Sequence, residues 1–366
     1  MPYPRFTVAA VPVTLITLAA SLTACKAVDD GSASSDSGKC KPSEVTLVQS
    51  GRGLSNEYYV AVDAGARAFA KSQGLKRKYQ WIASDGDSSK QLSQIQSILA
   101  KGGKCVVLNV DPNESSVLPA IVKAVDKSGA WLVTQWNRPA GLSPERSSPH
   151  WVAHMSVDGV PQGYETAKAL FKSMGGKGSI VALQGILDNP PAKERYKGLK
   201  KALKEYPGIK LLSSQTAEWD RTKGQNVTQN YLTKYGKKID GVWAASDSMG
   251  LGALGAVKNA GREGQVEIAS VDGLAETVHK VQDPSTGYVA TTQSSAVPQG
   301  GFGLSIGFAA ATGKINPAKE SRERRSFYLK PKPIITRANA SSVPPATDTS
   351  RFHFKDLWSQ QGGPIR

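Results

Sequence analysis

Polar and aromatic residues recur where the apolar stretches of this chain stop. Asn56, Tyr58 and Tyr59 follow the stretch 45–50. Asn137 and Arg138 follow 131–136, and Asp158 follows the strand-like His-Met-Ser-Val. Lys193 lies beyond 179–185, Trp219 beyond 209–216 and Ser246 at the end of 241–246. Asp272 ends 266–272, and Gln293 with Ser294 ends 288–294. The aromatic faces suit the C–H side of a sugar or polyol. Asn56, Asn137, Asp158 and Asp272 can fork across neighbouring hydroxyls, and Arg138 presents rigid parallel donors. Hydrogen bonds from hydroxyls to charged groups are stronger than neutral ones. This is chemistry for holding a small neutral polyhydroxylated molecule. His150, His154, His279 and His353 show no metal-ligand spacing, and no Ser/His/Asp order is evident. Gly300–Gly303 lacks the preceding strand and the spacing of a phosphate loop. No catalytic group, metal or cofactor is expected.

The same residue types have structural uses. An Asp at a strand end caps the next helix, and Asp247 reads mainly as a cap. Trp243, inside a strand, reads as core. Arg195 lies among Lys197, Lys200, Lys201 and Lys204 and reads with them as a solvated face, which leaves Lys193 as the candidate contact.

The elements that must position these residues alternate. Apolar strands at 45–50, 79–84, 105–110 and 131–136 are separated by helix-like segments at 58–74, 88–100 and 116–128. After a Pro/Ser-rich stretch at 140–149 the rhythm restarts, with helices at 163–174, 192–206, 222–235, 249–260 and 275–281. The strands between them are at 179–185, 209–216, 241–246, 266–272 and 288–294, and a long helix follows at 300–312. One helix between successive strands means βαβ units and a parallel sheet. Two such series predict an α/β protein of two doubly wound parallel-sheet lobes. Ligands in such sheets bind beyond the carboxyl ends of the strands, so the site is expected between the lobes.

The amino terminus reads as an export signal. Arg5 precedes an apolar run of about 16 residues, short of the roughly 20 that span a bilayer. Leu22-Thr23-Ala24-Cys25 then resembles a bacterial lipobox, which implies cleavage after residue 24 and lipid attachment at Cys25. Residues 26–39 are small and polar, a flexible tether. Outside the cytosol a disulfide is permitted. Cys40 precedes the first strand and Cys105 opens the third; if those strands are neighbours, both sulfurs lie at the same end and a Cys40–Cys105 bond is expected, the alternative being two free thiols. The tail carries Phe352, His353, Phe354, Leu357 and Trp358, a density of aromatics that predicts docking on a lobe.

The chain has 366 residues, with 46 Lys and Arg against 30 Asp and Glu, a formal charge of +16. Apolar residues make up 39%, which excludes a polytopic membrane protein. The charge alone is compatible with nucleic-acid binding, but no motif accompanies it and no nucleic-acid partner is expected. The positive surface fits an exported protein that faces anionic headgroups and envelope polymers.

The segments 86–112, 177–185 (Lys-Gly-Ser-Ile-Val-Ala-Leu-Gln-Gly), 193–203, 216–221 (Thr-Ala-Glu-Trp-Asp-Arg), 246–261 and 271–273 (Val-Asp-Gly) together resemble the ribose-type, type I solute-binding proteins of bacterial sugar ABC transporters. The resemblance spans about 44–339. It implies two lobes joined by a three-crossover hinge, with crossings near 152–157, 293–296 and 326–330. The corresponding boundaries are 1–24 signal, 25–43 lipidated Cys and tether, 44–156 plus 295–327 first lobe, 157–294 plus 328–340 second lobe, and 341–366 tail. It implies that Asn56 to Tyr59 stand for the family's opening loop. Asn137-Arg138 stand for its Asp-Arg pair, Trp219 for its aromatic, Ser246 for an Asn, and Lys193 for a helix-start Arg. Asp272 stands for the strand-end Asp and Gln293 or Ser294 for the closing Gln. Loss of one Asp and one Asn points away from an unchanged ribose pocket, toward another pentose, a hexose or a linear polyol. A monomer that delivers its ligand to an ABC transporter permease is implied, with a lipid-anchored sensor that presents its ligand to a signalling receptor as the alternative. A sugar-responsive repressor would share the lobes but needs an N-terminal helix-turn-helix where this chain has its export signal.

Overall fold

The computed structural model describes residues 39–365, together with Pro2. The signal reading, Cys25 and the tether up to residue 38 lie outside the described residues. The first lobe is built from β1 (Thr46–Gly51), α1 (Glu57–Ser72), β2 (Tyr79–Ala83), α2 (Ser88–Gly102), β3 (Val106–Val110), α3 (Leu118–Ser128), β4 (Trp131–Gln135), α4 (Pro144–Ser147) and β5 (Trp151–Ser156). The chain then passes to the second lobe: α5 (Gly159–Ser173), β6 (Gly178–Gln184), α6 (Pro190–Glu205), β7 (Ile209–Thr216), α7 (Arg221–Tyr235), β8 (Gly241–Ala244), α8 (Asp247–Asn259), β9 (Glu267–Ala269), α9 (Ala275–Gln282) and β10 (Tyr288–Thr292). It returns for α10 (Ala296–Ala311), α11 (Arg322–Arg325) and β11 (Ser326–Leu329). It crosses again to β12 (Ile334–Thr336) and ends on β13 (Gln361–Pro364).

The two sheets share one plan. The first runs β13-β11-β5-β4-β3-β1-β2 and the second β12-β10-β9-β8-β6-β7. Only β13 and β12, each at an edge, run antiparallel to their neighbours. Strands such as β3 are buried throughout because helices cover both faces. In each sheet the strand order reverses beside the first strand of the series, β1 and β6. That reversal opens a crevice at the carboxyl edge. Helices start at this edge on side-chain caps. Asn56 accepts from the Tyr58 amide, Asp220 from Lys223 and Ser246 from Met249. The cap of α8 is therefore Ser246; the Asp247 carboxylate instead accepts from the Leu274 amide and from Ser270 and Thr291. Trp243 is buried core. Cys40 and Cys105 are disulfide-bonded, at the amino ends of the neighbouring strands β1 and β3.

Four sequence expectations need correction. The crossing expected near 152–157 lies almost wholly within β5 (Trp151–Ser156), an interior strand of the first sheet, so the crossing is confined to 157–158. Strand β11 keeps the first lobe as far as Leu329, beyond the expected boundary at 327. The tail docks on the first lobe through its aromatics, as expected, but it is not a segment apart from that lobe, because β13 completes the first sheet. Among the described residues the chain consequently crosses between lobes four times, not three.

Candidate functional site

The carboxyl edges of the two sheets enclose a cavity of about 510 Å³, open solvent at its mouth included. The structure brings together there Asn56, Tyr58, Tyr59 and Asn137 of the first lobe with Trp219, Ser246 and Asp272 of the second. The lobes also touch beside it. Asn189 Nδ2 donates to the Asn113 carbonyl at 3.3 Å, and the Ser116 amide to Asp188 Oδ2 at 3.2 Å.

The first-lobe wall is a hydrogen-bonded array. Tyr59 donates its hydroxyl to Asp111 Oδ2 at 2.9 Å, and Asn137 Nδ2 donates to Asp111 Oδ1 at 3.0 Å. The carboxyl in this wall thus comes from the end of β3, and Asn137 binds to it. Burial pushes the Asp111 carboxyl up to about 7, against those two hydrogen bonds and the charge of Arg52. Trp136 Nε1 donates to the Tyr58 hydroxyl at 2.6 Å, which leaves the phenol proton for another acceptor. Tyr58 and Tyr59 meet edge to face, with centroids 5.1 Å apart.

The second-lobe wall is organised by Arg195. Its guanidinium donates to the Ala245 carbonyl at 2.7 Å and to Ser294 Oγ at 3.2 Å, and Nη1 lies 3.5 Å from Asp272 Oδ1. It lies 5.2 Å from the Trp136 ring and 5.7 Å from the Trp219 ring, so indoles of both lobes face one cation. Ser294 also donates to Asp272 at 2.8 Å. Burial pushes the Asp272 carboxyl up and Arg195 pulls it down. Arg195 reaches this position because α6 packs closely on α5: a Cβ at Gly163 would stand 2.0 Å from the Arg195 carbonyl. Trp219 likewise requires a glycine opposite, since a Cβ at Gly185 would lie 2.0 Å from its ring. Trp136, Trp219 and Asp272 all have positive φ (55°, 64° and 141°), so backbone strain is concentrated around the cavity.

Four buried polar atoms in the lining have no partner within the protein: the acceptors Asn137 Oδ1 and Asn189 Oδ1, and the donors Asn113 Nδ2 and Arg52 Nη1. Hydroxyls, which donate and accept, match that set. Asp272 balances the charge of Arg195, and the Asp111 carboxyl lies near Arg52, which suits a neutral ligand.

Other expected residues lie elsewhere. Arg138 is turned toward the hinge, where it donates to the Leu142 carbonyl. Asp158 caps α5 through the Val160 amide and lines a separate groove. Lys193 is exposed and donates to the Asp188 carbonyl at 3.0 Å; Arg195, read as solvated, takes the inward position. Gln293 donates to the Pro344 carbonyl at 3.4 Å, while Ser294 joins the Arg195 cluster. Sequence reasoning missed Arg52, Asp111, Asn113, Asn189 and Arg195. Asp111 and Asn113 carried the available signal, being polar residues immediately past a strand.

A family described as periplasmic binding protein domain matches residues 50–315. The chain is 30% identical over 292 residues to a xylitol-binding protein of Mycolicibacterium smegmatis, covering 80% of this chain and 77% of that protein. The structure resembles a twin-arginine translocation pathway signal protein from Burkholderia phytofirmans, with a TM-score of 0.83, 40% identity, and coverage of 88% and 98% of the two chains. It also resembles the Caulobacter myo-inositol binding protein bound to myo-inositol, with a TM-score of 0.71, 25% identity, and coverage of 83% and 97%.

Proposed function

The chain belongs to the periplasmic binding protein family, with the ribose-type (type I) fold, and from that premise we propose that it captures a neutral sugar or polyol between its lobes. Members of this family bind solutes outside the cytoplasm and are not enzymes. The observation that carries the ligand class is the set of unpartnered acceptors and donors in a charge-balanced, indole-walled cavity. Relatives named for xylitol, ribose and allose are in keeping with it. In this reading Asp272, Arg195, Asn137 and Asn189 hold hydroxyls, Trp219 and Tyr58 cover the C–H faces, and the lobes close like a hinged clamp. The closed form then delivers the ligand to an ABC transporter permease. Cys25, after Leu22-Thr23-Ala24, supplies the lipid anchor.

Thermal shift of the described domain against a panel of pentoses, hexoses, linear polyols and inositols tests the reading. One compound at about a hundredfold its Kd stabilises by about 2.7 kcal/mol, a rise of several degrees. Silence across the panel would overturn it. Mass spectrometry of native protein purified from membranes identifies the released ligand and reads the first peptide; an unmodified Cys25 would remove the anchor.

A further inference from the structure

Three of the four crossings between lobes are short: 157–158, 293–295 and 330–333. The fourth is built differently. Ala340 is buried in the second-lobe core, and Val343 packs against it. After the eight residues 344–351, Phe352 packs against the first-lobe core. Phe354 enters the core with its ring centroid 5.0 Å from Phe302 and 5.8 Å from Phe69. Helix α10 is notched for this ring, since a Cβ at Gly301 would come within 2.1 Å of it. Trp358 then stands edge-on to Phe327 at 5.9 Å, and β13 pairs with β11. Residues 344–351 are therefore a span with an apolar anchor at each end.

The span also touches the machinery of the site. The Pro344 carbonyl takes the Gln293 amide, and Gln293 forms an isolated parallel bridge with Asp272. A second pocket of about 470 Å³, open solvent included, is lined by Tyr58 and Asp272 together with Pro345, Asp348 and Arg351. The span thus lies directly behind the wall that faces the ligand.

We propose that residues 344–351 are a fourth inter-lobe strap that restrains opening of the cleft and positions Gln293 behind Asp272. Eight residues reach at most roughly 27 Å. Pro344 and Pro345 stiffen the strap, and Arg351 pairs with Asp348 at 3.6 Å. A restrained open state loses less conformational freedom on closure. A larger fraction of the protein is then competent to bind, and apparent affinity rises by that fraction. The inference rests on the reading of the protein as a clamp, and its first test needs no ligand.

The experiment is an insertion of four Gly/Ser residues after Thr347 in the full chain, which lengthens the strap and leaves both anchors intact. Small-angle scattering of the ligand-free protein should show a larger radius of gyration and a broader inter-lobe distance distribution, with little change in melting. For the panel compound that shifts the parent protein, Kd should rise about three- to tenfold. Phe354→Ala should act in the same direction and Phe354→Leu should largely restore the parent. Unchanged scattering in the insertion variant, with or without a drop in melting temperature, would overturn the strap. If no panel compound binds the parent, the scattering result still decides the strap, and only the ligand reading fails.

Discussion

The two lobes share a strand order and meet the cavity with different chemistry. The first offers tyrosines, amides and one carboxyl, Asp111, which only Tyr59 and Asn137 hold. The second offers a locked charge pair: Arg195 is committed to Gln162, Ala245, Ser294 and Asp272, all within its own lobe or the crossing beside it. Their scaffolds differ as well. The second lobe has one continuous apolar core, whereas the core of the first is divided into three clusters. It is the first lobe that carries the disulfide and receives the tail. The difference separates two tasks: rigid presentation of charge on one side, and an adjustable hydrogen-bonding surface on a cross-linked scaffold on the other.

The largest test of that division is Asp272→Ala. It leaves the Arg195 guanidinium buried without its carboxylate, which typically costs about 3–5 kcal/mol, and removes a wall of the cavity. Chemical denaturation should show that loss, and calorimetry should show no ligand binding. Tyr59→Phe in the first lobe removes one hydrogen bond to Asp111 and should cost only about 1–2 kcal/mol, with binding weakened but measurable. Equal effects from the two substitutions would erase the distinction between the walls.

Next in size is the disulfide. It closes a loop of 65 residues in the first lobe, and chain-entropy arguments give about 4 kcal/mol for a loop of that length. The double variant Cys40→Ser with Cys105→Ser should lose stability of that order. Hydrogen exchange should place the loss in β1, β3 and α2, with the second lobe protected as before. Ligand affinity well below the melting temperature should be unchanged, since neither sulfur approaches the cavity lining. Equal loss of protection in both lobes would show that they unfold as a single unit.

What the sequence made legible follows the same line. The alternation of strand and helix is local, so both sheets could be read from periodicity. Strand β5 was half legible: His-Met-Ser-Val reads as strand-like, but the preceding Trp-Val-Ala does not stand out, and the histidine in its middle is polar. Thr134 Oγ1 satisfies that histidine at 2.8 Å only once β4 lies beside it. Strand β13, Gln-Gly-Gly-Pro, has no strand propensity and exists through pairing with β11. In the site, residues just past strand ends were readable, and Asn56, Tyr58, Tyr59, Asn137, Trp219, Ser246 and Asp272 do converge. Arg195 was not readable. Five neighbouring lysines on α6 make the helix look solvated, and only the close contacts at Gly163 and Gly198 between α5 and α6 press this residue inward. Arg138 failed in the opposite sense, because the Leu142 carbonyl, three-dimensionally adjacent, draws it away.

The last comparison concerns acidity, and here the lobes should behave alike. Burial pushes Asp111 in the first lobe up to about 7; burial and the nearby Asp272 charge do the same for Asp247 in the second. Each carboxyl ionises in the unfolded chain near its ordinary value of 3.8. Between about pH 4 and pH 7 the folded protein therefore holds protons that the unfolded chain has released. Stability from these groups is present at low pH and falls as pH rises toward the folded-state value, then levels off. The expected drop between pH 5 and pH 8 is roughly 2–3 kcal/mol for Asp111, and Asp247 changes in the same direction. Asp111→Asn should flatten the profile by one group's share and leave the other intact. Ligand affinity should respond to pH through Asp111, with Asp272, which burial also pushes up but Arg195 holds down, as the other carboxyl in the lining; Asp247 is enclosed by Ser270, Thr291 and the Leu274 amide and does not line the cavity. A stability profile that rises from pH 5 to pH 8, or an affinity profile that survives Asp111→Asn unchanged, would show that Asp111 is ionised throughout and that the first-lobe wall is as fixed in charge as the second.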